Sequence, residues 1–119
     1  MTQTARLRRT RDFDVVYKKG RRKRSTHFVL IAWKNPEEQG LRFGLSVAKR
    51  LGNAVTRNRI RRRLREILRR EEWGEKAGGQ HKGSWDVVIQ PRTGKIARTE
   101  LAPLREELTG LITAALKAS

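Results

Sequence analysis

Cysteine is absent from the 119 residues, and proline occurs three times. Without cysteine there are no disulfides and no thiolate metal centre, and a cytoplasmic setting fits. Histidine is scarce as well. The two present, His27 and His81, have no partner at metal-ligand spacing, so they read as an edge and a solvated loop histidine. Acids are few, 12 against 29 lysines and arginines. They pair as Glu37-Glu38 in a turn and as Glu71-Glu72 and Glu106-Glu107 on helix surfaces. Neither placement suggests a two-carboxylate acid/base site. Ser46 and Ser84 lack a nearby His/Asp arrangement, and no Gly-rich loop ends in Lys-Ser or Lys-Thr. No apolar run approaches the ~18 residues of a membrane span. The N-terminal "MTQTARLRRTRDF" has no apolar core, so no secretory signal is expected. No repeat or low-complexity tail is visible. These absences leave a binding module in place of a self-sufficient catalyst.

Positive charge is what the chain has in excess. The formal net charge is +17 and the pI about 11.7, with 36% hydrophobic residues to build a core. A chain of this length makes one domain, 1–119. So large a charge destabilises the compact state by self-repulsion and attracts polyanions.

The hydrophobic pattern predicts the elements. "TRDFDVVYKKG" is a short helix, with Thr10 as cap, Asp12 and Asp14 near its positive end and Gly20 as its stop. Phe13, Val16 and Tyr17 share one face. "GRRKRST" is a basic turn or short edge strand, and "HFVLIAW" a strand covered on both faces. "LRFGLSVAK" alternates, with Leu41, Phe43, Leu45 and Val47 on one side and the small or polar Arg42, Gly44, Ser46 and Ala48 on the other. "GEKAGGQHKG" is a loop, and "SWDVVIQP" a strand ended by Pro91. A last helix is capped near Thr99, takes Pro103 in its first turn and buries Leu101, Leu104, Leu108, Leu111, Ile112 and Ala115. The order α-β-β-β-α-β-α predicts an α+β fold, a small mostly antiparallel sheet with helices packed on it.

Between strands lies "GNAVTRNRIRRRLREILRR", with eight arginines and one acid. Asn53 or Thr56 can cap it. Ile60, Leu64, Ile67 and Leu68 form one narrow apolar stripe, with Asn58, Arg62, Arg65 and Arg69 opposite. Such a charge run is ordinarily a solvated face, but here the acids are too few to neutralise it. A membrane-surface helix is disfavoured because the stripe lacks Trp and Phe and the strands need it as core. Nucleic acid fits better, since arginine makes bidentate phosphate contacts and Asn58 can bond a base edge or sugar. Phe13 and Tyr17 could stack unpaired bases, although pattern alone makes them core.

The stretch "GLSVAKRLGNAVTRNRIRRRLRE", with Arg57-Asn58-Arg59, closely resembles the signature of the bacterial ribonuclease P protein family. "RLRRTRDFDVVYKKGRR", "FVLIAW" and "WDVVIQPR" resemble its first helix and two of its strands, so the likeness covers nearly the whole chain. The resemblance implies a small partner of a catalytic RNA, the complex removing the 5′ leader of precursor tRNA. It implies a cytoplasmic protein, one copy per RNA, with magnesium held mainly by the RNA and none by the protein alone. It implies a ribosomal-protein-like two-layer sandwich with a left-handed β-α-β crossover, a hand that general rules would not predict. It places the RNA-subunit contacts on Arg57, Asn58, Arg59, Arg61, Arg62 and Arg65, and on Ser46, Lys49, Arg50, Asn53 and Ala54 before them. The leader contacts fall on Phe13, Tyr17 and the outward face of the strand at Ile31, where some relatives carry tyrosine. The resemblance gives the loop "EKAGGQHKGS" no role. A ribosomal or general RNA-binding protein is the alternative compatible with the charge. A nuclease acting alone is disfavoured by the lack of clustered acids and histidines.

Overall fold

The computed structural model describes residues 5–36, 40–70 and 84–117. The Glu37-Glu38 and Glu71-Glu72 pairs, His81 and all but the last residue of the loop 74–84 lie outside them.

Five strands form one mixed sheet in the order β1-β4-β5-β3-β2. They are β1 (Ala5–Arg6), β2 (Arg21–Arg24), β3 (Phe28–Asn35), β4 (Gly40–Leu45) and β5 (Ser84–Pro91). Among the described residues three helices accompany them: α1 (Thr10–Lys19), α2 (Ala54–Arg70) and α3 (Leu101–Lys117). Antiparallel pairing links β2 to β3 and β3 to β5, and parallel pairing links β4 to β5 and β1 to β4. β1 is an addition to the predicted order. Two residues are too short to carry a periodic signal. The basic segment after α1 is an edge strand.

β5 is central, and its continuous buried run from Trp85 to Ile89 follows from that position. β4 returns to its parallel neighbour β5 through a 3-10 turn at Lys49–Leu51 and α2. The large core lies on one face, where Leu30, Leu41, Phe43, Val87 and Ile89 meet α2 and α3. All four stripe residues of α2 are buried there. Their burial contributes on the order of 6–12 kcal/mol, whereas each like-charge pair one turn apart costs only about 0.2–0.5 kcal/mol. The apolar face therefore wins, and the helix forms despite its arginines. Arg63 helps, donating to the carbonyls of Ala97 and Thr99 beside the second 3-10 turn, Gly94–Ala97.

α1 adds a partial third layer on the opposite face, where Leu7, Val16, Ile31 and Val88 make a smaller core. Gly44 allows Phe13 to pack closely here. A Cβ at that position would stand 2.6 Å from the Phe13 ring.

Several predicted caps differ. Thr10 is the first helical residue of α1, with Arg9 in the capping position and no side-chain cap bond. Thr99 donates its hydroxyl back to the Lys95 carbonyl instead of capping α3. Leu101, the first residue of α3, is 37% exposed. Asn53 does cap α2, its Oδ1 accepting from the Thr56 N–H at 2.9 Å.

Glu107 and His27 also differ from expectation. Glu107 is no ordinary surface charge. Its carboxylate accepts from the Ser25 hydroxyl and from the His27 N–H at 2.7 Å, and it lies 2.6 Å from His27 Nδ1. It thus ties α3 to the β2–β3 turn. Burial alone raises its pKa. The bonds from Ser25 and His27, with the charge of His27, outweigh that and leave it below the usual Glu value. A carboxylate with a depressed folded pKa adds stability that is present above its unfolded pKa and lost as pH falls through the folded one. Glu107→Gln should therefore cost about 1–3 kcal/mol near neutral pH. The difference from the parent should shrink through the acidic Glu range. Denaturant midpoints across pH measure it, and a pH-independent difference would contradict the assignment.

Candidate nucleic-acid interface

The solvent side of α2 is the first candidate surface. Asn58, Arg59, Arg62, Arg65 and Arg69 are exposed along it, with Arg57 and Arg61 half-buried beside them. Arg57 donates through Nε to the Gly52 carbonyl at 3.1 Å, and Arg61 donates to Asn58 Oδ1 at 2.9 Å. These contacts are local and leave guanidinium donors facing outward. Lys49 and Arg50 sit exposed on the preceding 3-10 turn, with Asn53 and Ala54 exposed at the helix start. The expected residues from Lys49 to Arg65 thus form one continuous surface. Ser46 stands apart, because strand alternation turns it toward the other face of the sheet.

Charge on this surface is poorly compensated. Glu66 is the single acid of α2, and it pairs with Arg69 and Arg70, the latter at 2.9 Å. Such exposed pairs contribute little. A groove between β1 and α2 is lined by Arg6, Phe43, Arg62, Arg65, Leu68 and Arg69 as well as Glu66. Burial, then the charges of Arg6 and Arg61, draw the Arg65 pKa below the ordinary arginine value. A polyanion laid along the helix would relieve that repulsion.

The second candidate surface is the cleft between α1 and the sheet. The Phe13 and Tyr17 rings lie 6.4 Å apart and tilted by 47°. Both are half-buried, packed with Val29 and Trp33 against the smaller core. Val29 pairs with Gln90, and Ser46 donates its N–H to the neighbouring Ile89 carbonyl. Val29, Gln90 and Ser46 therefore form one half-exposed row across the sheet beside the two rings. Ile31 corrects an expectation. It is fully buried beneath α1, because the helix crosses β3 at this point and its Gly20 packs against the Ile31 methyl. It cannot touch a ligand in this conformation.

Residues missed from sequence hold the framework around α1 and the β2–β3 turn. Trp33 carries Lys19 5.5 Å from its ring centroid. Asp86, 1% exposed, accepts from Arg42 Nε at 2.9 Å and Nη2 at 2.7 Å and from Asn35 at 3.0 Å. Arg42 also lies 3.8 Å from Asp12 of α1. A lone Asp inside an apolar strand was the available signal, since a buried charge must be paired. Arg92 donates to the Ser25 carbonyl at 2.8 Å and holds the β2–β3 turn. Among the described residues no three His, Asp or Glu side chains converge, so these side chains offer no cluster for a divalent cation. No helix is long and apolar enough to cross a membrane, among the same residues.

Comparison with known proteins agrees with this fold. The Ribonuclease P family model matches residues 1–116. A ribonuclease P protein component of Staphylococcus epidermidis is 46% identical over 66 residues, 56% of this chain and 57% of that protein. The match thus spans little more than half of that relative's length. A counterpart in Streptococcus equi is 36% identical over 79% of this chain and 72% of its own. Among solved structures, the RNase P protein of Thermotoga maritima superposes with a TM-score of 0.75 at 31% identity, covering 92% of this chain and 96% of that one. That of Staphylococcus aureus gives 0.73 at 29% identity, covering 95% and 96%. With an arginine-faced α2, a cleft under α1 and a family match along almost its whole length, the chain belongs to the ribonuclease P protein family.

Proposed function

We propose that this protein is the RNA-binding subunit of a ribonuclease P ribonucleoprotein and assists removal of the 5′ leader from precursor tRNA. The exposed side of α2, with Lys49, Arg50, Asn53 and Ala54 before it, binds the catalytic RNA. The cleft of Phe13, Tyr17 and the Val29–Gln90–Ser46 row grips the single-stranded leader. Cleavage belongs to the RNA, which also holds the magnesium, so the protein alone is inactive. One protein per RNA and a cytoplasmic location complete the proposal. The observation that carries it is the run of outward guanidinium groups on α2 with a single acid among them. The cleft lies on the other side of the sheet, and the two surfaces meet at the end of β4, where Ser46 leads into Lys49. One RNA assembly can therefore engage both.

The test is leader cleavage at low magnesium, with protein alone, ribonuclease P RNA alone and the two together. Cleavage that requires the RNA and rises sharply with protein supports the proposal. Cleavage by protein alone overturns it, and binding without stimulation favours a general RNA-binding protein.

Phe13→Ala probes the cleft. Loss of one stacking ring should cost about 1–3 kcal/mol in binding precursor tRNA, with mature tRNA little affected. Equal losses for both would remove the leader from this cleft. Phe13→Leu keeps an apolar side chain on the smaller core without an aromatic ring, and so separates stacking from folding.

A further inference from the structure

β2 is an outer strand whose four residues, Arg21, Arg22, Lys23 and Arg24, are all basic. Charge on an edge strand ordinarily prevents edge-to-edge association. That role does not depend on which face each side chain occupies. The register divides the four into two pairs with different surroundings.

Directly opposite residues of an antiparallel ladder project to the same face of the sheet. Arg22 pairs with Ile31 and Arg24 with Val29. Both arginines therefore stand on the α1 face. Arg21 pairs with Ala32 and Lys23 with Leu30, which places them on the α3 face. Opposed Cβ atoms are about 4.5–5.5 Å apart, so Arg24 starts beside Val29 at the rim of the Phe13–Tyr17 cleft. Arg22 follows two residues along the same rim, near the end of α1. Both are exposed, and neither has an ion-pair partner among the described residues.

From this register we infer that Arg22 and Arg24 bind phosphates of the single-stranded leader as it leaves the aromatic cleft. The inference rests on the leader reading above and adds a second, electrostatic half to that site. The buried Ile31 supplies no stacking ring, so the grip beyond Phe13 and Tyr17 is on the backbone. Phosphate contacts position a strand without reading its bases. The contact is therefore insensitive to leader sequence and sensitive to leader length and salt.

The experiment uses the holoenzyme reconstituted with ribonuclease P RNA. Affinity is measured for mature tRNA and for precursors with a short and a long leader, over a salt series. Arg22→Ala/Arg24→Ala is compared with Arg21→Ala/Lys23→Ala, which removes the same charge from the opposite face of the same strand. The first pair should lose about tenfold affinity for the long-leader precursor. Its salt slope should be smaller by about 1.4, the value for two phosphates on a single strand. Mature tRNA and the short leader should be unaffected, and the second pair should resemble the parent. Equal losses in both pairs would mean general attraction and overturn the inference. A parent with no preference for the long leader would overturn the leader reading as well. A parent that keeps that preference undiminished in Arg22→Ala/Arg24→Ala would overturn this inference alone. Arg22→Gln/Arg24→Gln keeps a polar edge and gives the same comparison should alanine disturb the strand.

Discussion

Asp86→Ala should lower folding stability by about 3–5 kcal/mol, the cost of removing one partner of a buried ion pair. Domains of this size have only about 5–15 kcal/mol in total, so a large part of the folded margin would go. The cause is local. Asp86 is almost wholly shielded from water, and its two oxygens receive two bonds from Arg42 and one from Asn35. Without the carboxylate, the largely buried Arg42 guanidinium loses its bidentate counter-charge. The damage should extend to function, because Arg42 also faces Asp12 on α1, and α1 forms the roof of the cleft. Denaturant unfolding gives the stability loss, and precursor binding gives the effect on the cleft. Arg42→Met/Asp86→Leu should recover much of the stability, since apolar replacements remove both desolvation costs together. A double variant as unstable as Asp86→Ala would show that the charge imbalance is not the cause.

Arg57→Ala/Arg59→Ala should weaken assembly with ribonuclease P RNA by about 100-fold or more, taking about 1.5–3 kcal/mol for each charged hydrogen bond. The salt slope of assembly should fall by about 2, as expected for two phosphate contacts on a duplex. The fold should survive. Neither residue belongs to the buried stripe, and alanine is the best helix former. Removing two like charges also relieves the repulsion felt along the helix. Arg63→Ala is the contrasting case. Its guanidinium is committed to the carbonyls of Ala97 and Thr99, so it should lower the unfolding midpoint and affect RNA binding only through that. Unchanged RNA affinity in a folded Arg57→Ala/Arg59→Ala variant would sink the assignment of α2 to the catalytic RNA.

The sequence by itself determined the repeating features. The stripe of Ile60, Leu64, Ile67 and Leu68 predicted the docked face of α2 and, by subtraction, its cationic back. Alternation in "LRFGL" predicted which side of β4 meets the core. Side-chain periodicity is a local property, so it survives without knowledge of neighbours. Charge needs no structure either, which is why the expectation of a polyanionic partner followed from composition and the arginine run.

Only the tertiary structure decided the pairings between distant residues. Ile31 fell on an outward face by resemblance alone, yet α1 crosses β3 at that point and buries it. Glu107 sits on an amphipathic helix as an apparent surface acid, yet it meets His27 from 80 positions away. Asp86 and Arg42 are joined only because β4 and β5 are parallel neighbours in one register. The same register, between β2 and β3, gives Arg22 and Arg24 one face and Arg21 and Lys23 the other. Such contacts depend on strand order and helix placement, and no residue spacing along the chain encodes either. A shift of register by one residue would move every side chain of a strand to the opposite face.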